Sequence, residues 1–347
     1  MTEYAEGSFN VSEYLSKRPQ YPDKIYKLIS DYHQSSTQTL LDLGCGPGQG
    51  SWPFLSTFDH VIGIDPGEGM IKHAREAYEQ LAKEKKLKGE KVASSIYKVC
   101  SVESLDTLKI AENSIDLAIA ATAAHWFDME KTYSHLSKLI KKGGTVAFWT
   151  YDLAYPKYHP STAEMVSRFA YEDLSEYVDV KGCERINSLY EKLDQPPIEI
   201  WKDVRHFAYP NFGVNKSYTP ALEGELPAYL SSVEGTEWDW DLHTDVSVIG
   251  FYFFYYLLIN IFSLLTLQST ITWNDLAAAK RTNSSYFNWR KEYPNVPIEK
   301  DIASRQVSAL RDQVLSERSE GIGCETGESD EQVRLLRPMG LLLMRKR

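Results

Sequence analysis

A glycine-rich segment near the start of the chain carries the residues best suited to hold a ligand. Residues 40–50 read LLDLGCGPGQG, an apolar stretch that runs into Gly44, Gly46 and Gly48. Glycine lets the backbone approach a ligand at distances that a Cβ atom would prevent. Asp65 ends the next apolar stretch, where a carboxylate can accept hydrogen bonds from a ribose diol. The pattern therefore predicts a pocket for a nucleoside cofactor.

The glycine spacing and a nearby acid narrow the type of nucleoside. A dinucleotide fingerprint would place its third glycine at the position that Gln49 occupies. Asp42, just before the loop, would repel phosphates and attract a cation such as a sulfonium or an amino group. The loop is thus poorly suited to a pyrophosphate. A glycine turn that closes a strand–helix unit without any ligand is the alternative.

Four segments occur in an order and at intervals typical of one enzyme family. They are the D-x-G-x-G-x-G loop at 42–48, VIGIDPGEGMI at 61–71, IDLAIAATAAHWFD at 115–128 and LIKKGGTVAFWTY at 139–151. In these segments the chain resembles the class I S-adenosylmethionine-dependent methyltransferases. The resemblance implies S-adenosylmethionine as the cofactor. It also implies an α/β fold with a Rossmann-like, doubly wound, mostly parallel sheet, a helical cap and C-terminal strands.

Further segments narrow the resemblance to one group. FNVSEYLSKRPQYP at 9–22 and AHWF at 124–127 look like the fungal trans-aconitate methyltransferases, and AAKRTNSSYFNWRKEYP at 278–294 is the clearest later match. That group esterifies a carboxylate of a small polyacid, so the resemblance implies O-methylation of a small acid. Two alternatives stay open. One is methylation of a hydroxyl or carbon acceptor in quinone or secondary metabolism, and the other is a non-catalytic cofactor-binding or membrane-tethered protein.

The resemblance assigns cofactor contacts to residues that follow the predicted strands. Asp42 and the glycine loop would hold the methionyl end, and Asp65 would hold the ribose. The predicted cofactor-binding residues are Asp42, Gly44, Gly46, Gly48, Asp65, Met70, Ser101, Glu103 and Trp126. Three of them have simpler alternatives, because Asp65 or Glu103 can cap a helix and Met70 can be an ordinary core residue.

The acceptor side has its own candidates. His125, after the fourth predicted strand, is the predicted catalytic residue, either as a base or as a donor to the acceptor. A histidine that only holds its loop is the alternative. The predicted substrate-binding residues are Tyr14, Arg18, Tyr21, Arg281 and Tyr286. Arg18 would bind a carboxylate bidentately, unless it belongs to a packed first helix and forms a surface pair.

Alternating apolar and helical patterns predict the elements that carry these residues. Residues 1–152 form a predicted N-terminal lid and cofactor-binding domain, and 153–347 a cap and substrate region. Strands are predicted at 39–43, 60–64, 94–100, 115–121, 144–150, 203–209 and 334–344. Helices are predicted at 21–33, 49–58, 68–87, 103–110 and 128–141, and on either side of Cys183.

The most unusual segment of the second region is VIGFYFFYYLLINIFSLLTL at 248–267. It carries no charge and is long enough, as a helix, to cross a bilayer. Three interpretations compete: a transmembrane or monotopic helix, a buried cap helix, or translated non-coding sequence. Membrane association is not favoured, because an anchor inside a catalytic fold would be unusual.

Charge and cysteine usage restrict the partners and the compartment. The formal net charge of −10 leaves no excess of basic side chains to neutralise a nucleic-acid backbone. The four cysteines, at 45, 100, 183 and 324, lack the spacing of metal ligands, so no metal site is predicted. The N-terminus lacks the apolar core of a secretory signal. We expect a cytoplasmic monomer that acts on a small molecule.

Overall fold

The computed structural model describes residues 11–159, 161–208, 266–323 and 329–347. Most of the apolar segment at 248–267 lies outside these residues, so its three interpretations stay predictions. Its last two residues, Thr266 and Leu267, begin a strand. Within the described ranges, no helix combines the length and the apolar character needed to cross a membrane.

Five parallel strands form the first part of the main sheet. They are β1 (Thr39–Leu43), β2 (His60–Asp65), β3 (Ser94–Val99), β4 (Ile115–Ala121) and β5 (Ile140–Tyr151). They lie in the order β3-β2-β1-β4-β5, and all four pairings are parallel. The strand order reverses between β1 and β4, which opens a crevice at their carboxyl ends. The predicted Rossmann-like α/β sheet is confirmed.

Helices cover both faces of this sheet. They are α2 (Asp23–Tyr32), α3 (Glu68–Leu87) and α4 (Met129–Leu139), whereas α1 (Val11–Lys17) packs against α3. The predicted helices at 49–58 and 103–110 are wrong, because these segments form only short 3-10 turns at Trp52–Ser56 and Val102–Leu108. Pro53 removes a backbone donor in the first turn, and Ser104 leaves helical geometry with a φ of −114° in the second.

Apolar side chains fill the space between the sheet and its helices. On one face Leu136 of α4 belongs to the same buried cluster as Phe148, and on the other Ile29 of α2 belongs to the cluster of Trp149. β5 is therefore buried on both faces, which explains its continuous apolar sequence. Truncating a buried tryptophan such as Trp149 to alanine would cost about 3–5 kcal/mol.

The later strands are β6 (Tyr155–Pro156), β7 (Trp201–Ala208), β8 (Thr266–Thr272) and β9 (Gln332–Lys346). β9 is a long strand with two sets of partners. Its second half pairs antiparallel with β5 and β7 and completes the main sheet. Its first half pairs with β6 and β8 under the cap. Strands from beyond residue 152 thus finish the cofactor-binding sheet, and β7 and β9 confirm the predicted C-terminal strands.

Five helices build the cap over the carboxyl edge of the sheet. They are α5 (Thr162–Tyr171), α6 (Val180–Asn187), α7 (Trp273–Lys280), α8 (Ser284–Glu292) and α9 (Ile302–Ser319). The prediction of helices on either side of Cys183 is wrong, because Cys183 lies inside α6. Asp179 caps this helix and accepts a hydrogen bond from the Gly182 backbone N–H at 2.7 Å.

Candidate active site

The glycine loop after β1 adopts a conformation that side chains would hinder. Gly44, Gly46 and Gly48 have φ values of 62°, 52° and 96°. A Cβ atom at Gly44 would lie 2.7 Å from the Cβ of Ala123, whereas one at Gly46 would meet nothing within 4 Å. The loop therefore closes against the segment after β4 at Gly44 and borders open space at Gly46, as a backbone cradle for a ligand would.

Asp42, at the base of this loop, is a fully buried carboxyl group. It is 0% exposed, and neither oxygen has a hydrogen bond of good geometry among the described residues. Burial raises the pKa of Asp42 to about 8; the Ser51 hydroxyl opposes this rise and the nearby charge of Asp65 adds to it. An uncompensated carboxylate of this kind is costly unless a cation approaches it. The amino group or the sulfonium of S-adenosylmethionine fits this requirement.

Asp65 connects the glycine loop to the start of α3. Its carboxylate accepts hydrogen bonds from the backbone N–H of Gly46 at 3.0 Å and of Gly67 at 2.8 Å. Burial raises the pKa of Asp65 to about 6, although these two N–H groups oppose the rise. The N-cap of α3 is Gly67 rather than Asp65. Each carboxylate oxygen has a second lone pair, so the group can also accept hydroxyl hydrogen bonds from a ribose.

The three remaining cofactor candidates near α3 and the following turn have protein contacts of their own. Met70 is buried in α3. The Ser101 hydroxyl donates to the Ser104 hydroxyl at 3.3 Å. Glu103 accepts from the backbone N–H of Asp128 at 3.1 Å, which ties its turn to the start of α4. From the sequence we expected Glu103 either to contact the cofactor or to cap its own helix, and the observed contact is neither. Contacts of these three residues with adenine stay predictions.

His125 and Trp126 lie in a 3-10 turn after β4, beside the crevice. The His125 side chain is 6% exposed, and its Nδ1 lies 3.4 Å from the Tyr190 hydroxyl. Burial lowers the pKa of His125 to about 3, and the positive charges of Arg18 and Arg185 lower it further. His125 is therefore neutral at physiological pH and a weak base.

Arg185 of α6 holds this turn in place, and no local sequence pattern indicates this role. Its Nη1 donates to the backbone carbonyls of His125 at 3.1 Å and of Phe127 at 3.0 Å. Its Nη2 donates to Asp194 at 2.6 Å. Arg185 is almost fully buried, so its hydrogen bonds fix the position of the His125 loop from the cap side.

A cavity of about 220 Å³ lies between the sheet edge and the cap. Four of the six candidates for acceptor binding or catalysis line it, namely Tyr14, Arg18, His125 and Tyr286. Trp126 lines it as well. Tyr21 does not line the cavity, but its hydroxyl donates at 3.1 Å to Thr122, which does. The structure therefore brings the N-terminal segment, the His125 turn and α8 together around one space.

Arg18 is partly buried and contacts residues of two later segments. Its Nη1 donates to the Tyr151 hydroxyl at 3.2 Å, and its Nη2 donates to the Thr282 carbonyl at 3.1 Å. Its guanidinium also lies 4.9 Å from the centroid of the Tyr14 ring. These neutral partners orient the Arg18 guanidinium at the cavity wall.

Arg281 requires a correction, because it does not line the cavity. Its guanidinium donates to Asp301 at 2.7 Å and to the Ser304 hydroxyl at 2.7 Å. Tyr286 donates to the same carboxylate at 2.8 Å, although its side chain also reaches the cavity. Arg281 is thus committed to an ion pair at the start of α9, and we do not retain it as a substrate contact.

Two cationic residues that the sequence did not single out line the cavity. Arg337 of β9 is 8% exposed and donates to the Ser269 hydroxyl at 3.3 Å. Lys280 ends α7, and its Nζ lies 3.4 Å from the amide oxygen of Gln306. For Arg337, the sequence signal was a charged residue inside the apolar sequence of β9. For Lys280, at the end of α7, the sequence has no pattern that indicates a place in the cavity.

Comparison with known proteins agrees with this geometry. Residues 41–148 match the family model described as a methyltransferase domain. The probable S-adenosylmethionine-dependent methyltransferase CRG1 of Saccharomyces cerevisiae is 29% identical over 150 residues, which cover 43% of this chain and 48% of that protein. The methyltransferase ptaI of Pestalotiopsis fici is 28% identical over 148 residues, covering 40% and 41%. The chain thus matches about half or less of the length of these relatives.

One solved structure resembles the whole described architecture. A candidate type II methyltransferase from Anaeromyxobacter dehalogenans aligns over 94% of this chain and 97% of its own, with a TM-score of 0.56 and 19% identity. At that identity the similarity shows the fold alone. The sheet order and the glycine loop are those of a class I methyltransferase fold. Within this fold, residues 41–148 match a methyltransferase domain.

Proposed function

We propose that the protein transfers the methyl group of S-adenosylmethionine to a carboxylate of a small acid such as trans-aconitate. The observation that carries this proposal is the Arg337 guanidinium at the cavity wall. It is nearly fully buried, and among the described residues it forms no salt bridge with a carboxylate. A buried cation of this kind favours an anionic ligand.

Besides Arg337, charged groups of both signs lie around the cavity. Burial lowers the pKa of Arg337, and the charge of Arg18 lowers it further, so the two guanidiniums repel each other. A carboxylate between them would remove this repulsion. Asp179 also lines the cavity, but it is the N-cap of α6. Asp152 lines it as well, beside Tyr171.

The protonation state of His125 favours a carboxylate over a hydroxyl acceptor. A carboxylic acid with a reference pKa of about 4 is already an anion at neutral pH, whereas a hydroxyl must lose a proton during methylation. A general base works best with a pKa near the working pH. The pKa of His125, lowered to about 3, makes it a poor base for that task. Its role is then to position the acceptor.

The reaction is an in-line displacement at the methyl carbon. When bound, S-adenosylmethionine supplies the methyl group: the acceptor oxygen forms the new C–O bond as the C–S bond breaks and its electron pair stays on sulfur. Asp42, Asp65 and the glycine loop would hold the cofactor, and Arg18 and Arg337 would orient the acceptor oxygen. Positioning of this kind can supply about 7–11 kcal/mol of barrier reduction.

Radioactive methyl transfer from labelled cofactor to a panel of small acids tests the proposal. The matched controls are the corresponding primary alcohols and amides, which keep the carbon skeleton but lack the anion. We expect label in a product that mild alkali releases as methanol, because methyl esters hydrolyse there and methyl ethers do not. Alkali-stable label, or transfer only to the alcohols, would reject a carboxylate acceptor.

A further inference from the structure

We propose that Lys280 binds a second carboxylate of the acceptor, so that the enzyme prefers dicarboxylates and tricarboxylates to monocarboxylates. This inference rests on the proposed function, since it concerns the same cavity. Lys280 lies on α7, whereas Arg337 lies on β9, so the two cations approach the cavity from different elements.

Among the described residues Lys280 has no carboxylate at salt-bridge distance, although Asp173 lies near enough to raise its pKa. Its Nζ lies 3.4 Å from Gln306 Oε1 and 5.7 Å from the centroid of the Phe169 ring. Neither partner is charged, and no salt bridge joins Lys280 to a carboxylate among the residues that the structure describes. A carboxylate of the ligand would supply a much stronger partner than this long amide contact.

Lys17 lines the same cavity but, unlike Lys280, it forms a salt bridge. Its Nζ lies 2.8 Å from Asp275, so its charge is already paired within the protein. For Lys280 no such ion pair forms among the described residues, and the charge of Asp173 only partly opposes the effect of burial on its pKa. Burial lowers the pKa of Lys280 to about 8, so its ammonium is still the main form at neutral pH. An anion beside it would favour that form further.

Gln306 is held so that its oxygen faces Lys280. Its Nε2 donates to the Phe169 carbonyl at 2.9 Å and to the Asp173 carboxylate at 3.4 Å, and these contacts fix the orientation of the amide. Gln306 is buried and lines the cavity between α9 and α5. A polar but uncharged neighbour orients the ammonium without neutralising it, which leaves the charge available to a ligand.

The test compares Lys280→Met and Lys280→Arg with wild type on two acceptors, the tricarboxylate trans-aconitate and the monocarboxylate crotonate. We expect Lys280→Met to raise the KM for trans-aconitate about 10- to 100-fold, with kcat and the KM for crotonate little changed. Lys280→Arg should restore part of the loss. Lys86→Met, at an exposed position of α3, is the matched control. An equal loss for both acids would make Lys280 a structural residue and overturn the inference.

Gln306→Glu provides a second variant in case Lys280→Met folds poorly. It places a carboxylate about where the amide oxygen now lies, 3.4 Å from the Lys280 ammonium. It should therefore weaken the binding of trans-aconitate more than the binding of crotonate. Calorimetric binding of both acids in the presence of S-adenosylhomocysteine gives a readout that does not need turnover. Equal affinity of wild type for the two acids overturns this inference alone. Binding of the cofactor product without binding or methylation of any acid overturns the proposed function as well.

Discussion

The two halves of the ligand-binding region differ in their ionisable groups. Beside the glycine loop lie the carboxyl groups of Asp42 and Asp65, whereas the cavity wall carries the cations Arg18, Arg337 and Lys280 together with Asp152 and Asp179. Methyl transfer from a sulfonium to a carboxylate joins a cation to an anion, and both charges disappear as the bond forms. Each half of the region is therefore suited to one reactant of the proposed reaction.

A second difference lies between two arginines that are paired with carboxylates and Arg337. Arg281 and Arg185 donate to Asp301 and Asp194, and they hold a helix start and a loop. Arg337 donates only to the Ser269 hydroxyl among the described residues. We therefore expect Arg281 and Arg185 to act in folding and Arg337 to act in binding. Four experiments test these differences.

The largest expected effect is on cofactor binding by the acidic half, which is the part beside the glycine loop that carries Asp42 and Asp65. Asp65→Ala should weaken both S-adenosylmethionine and S-adenosylhomocysteine by about 2–3 kcal/mol, because the carboxylate would accept two hydroxyl hydrogen bonds. Titration calorimetry measures this change. Asp59→Ala, which removes an exposed carboxylate at the start of β2, is the control. Unchanged affinity in Asp65→Ala, or tight binding of NAD by wild type, would remove the basis for the cofactor assignment.

On the basic half, Arg337→Met should raise the KM of the acid acceptor about tenfold or more, since it removes a charge-assisted contact. The dissociation constant of the cofactor should stay within about twofold, because the two halves act separately. Steady-state kinetics with a cofactor titration distinguishes the two effects. Arg311→Met, a partly exposed arginine of α9, serves as control. Equal weakening of cofactor and acceptor would contradict the separation.

Asp42 should give the acidic half a pH dependence. Its pKa is raised to about 8 in the folded protein, from a usual value near 4, so folding of the free protein takes up a proton between these values. The stability of the free protein should fall as the pH rises from 6 to 8, and cofactor affinity should rise, because the cation prefers the ionised carboxylate. Asp42→Asn should flatten both trends. Thermal melts and calorimetry at pH 6, 7 and 8 check the signs, and cofactor affinity that falls with pH would contradict them.

The smallest expected effect is at His125. For a carboxylate acceptor, His125→Gln should keep kcat within about tenfold of wild type, because no proton is removed and the glutamine can still form a hydrogen bond. General base catalysis would instead account for about 10²- to 10⁴-fold. Rate profiles from pH 6 to 9 distinguish the cases. A collapse of kcat that higher pH restores would point to a hydroxyl acceptor and would make us abandon the acid.

The acidic half could be predicted from the sequence because its signals are local. The glycines, Asp42 and Asp65 lie within 24 consecutive residues, and the strands around them are short apolar runs. Their positions after β1 and β2 follow from the rule that ligands bind at the carboxyl ends of parallel strands. The pattern could not show that Asp42 lacks a hydrogen bond of good geometry among the described residues, since that depends on packing in three dimensions.

The basic half, which is the cavity wall with Arg18, Arg337 and Lys280, was harder to predict from the sequence because segments that are distant in the chain form it. Arg18 meets Tyr151 and Thr282, and Arg337 is brought beside them only by the pairing of β9. No local pattern separates Arg281, which forms an ion pair, from its neighbour Lys280, which lines the cavity. Both follow a regular helical stretch, and only the direction of each side chain decides its role.

The pairing of β9 also determines the order in which the molecule can assemble. All partners of β9 come earlier in the chain, and its pairs join residues as distant as Thr145 and Arg345. Closing loops of this length is entropically costly and slow. During synthesis the parallel strands and the glycine loop can form while the ribosome is still translating the cap. The acceptor cavity cannot form until β9 has emerged, so a nascent chain gains its cofactor cradle well before its acceptor site.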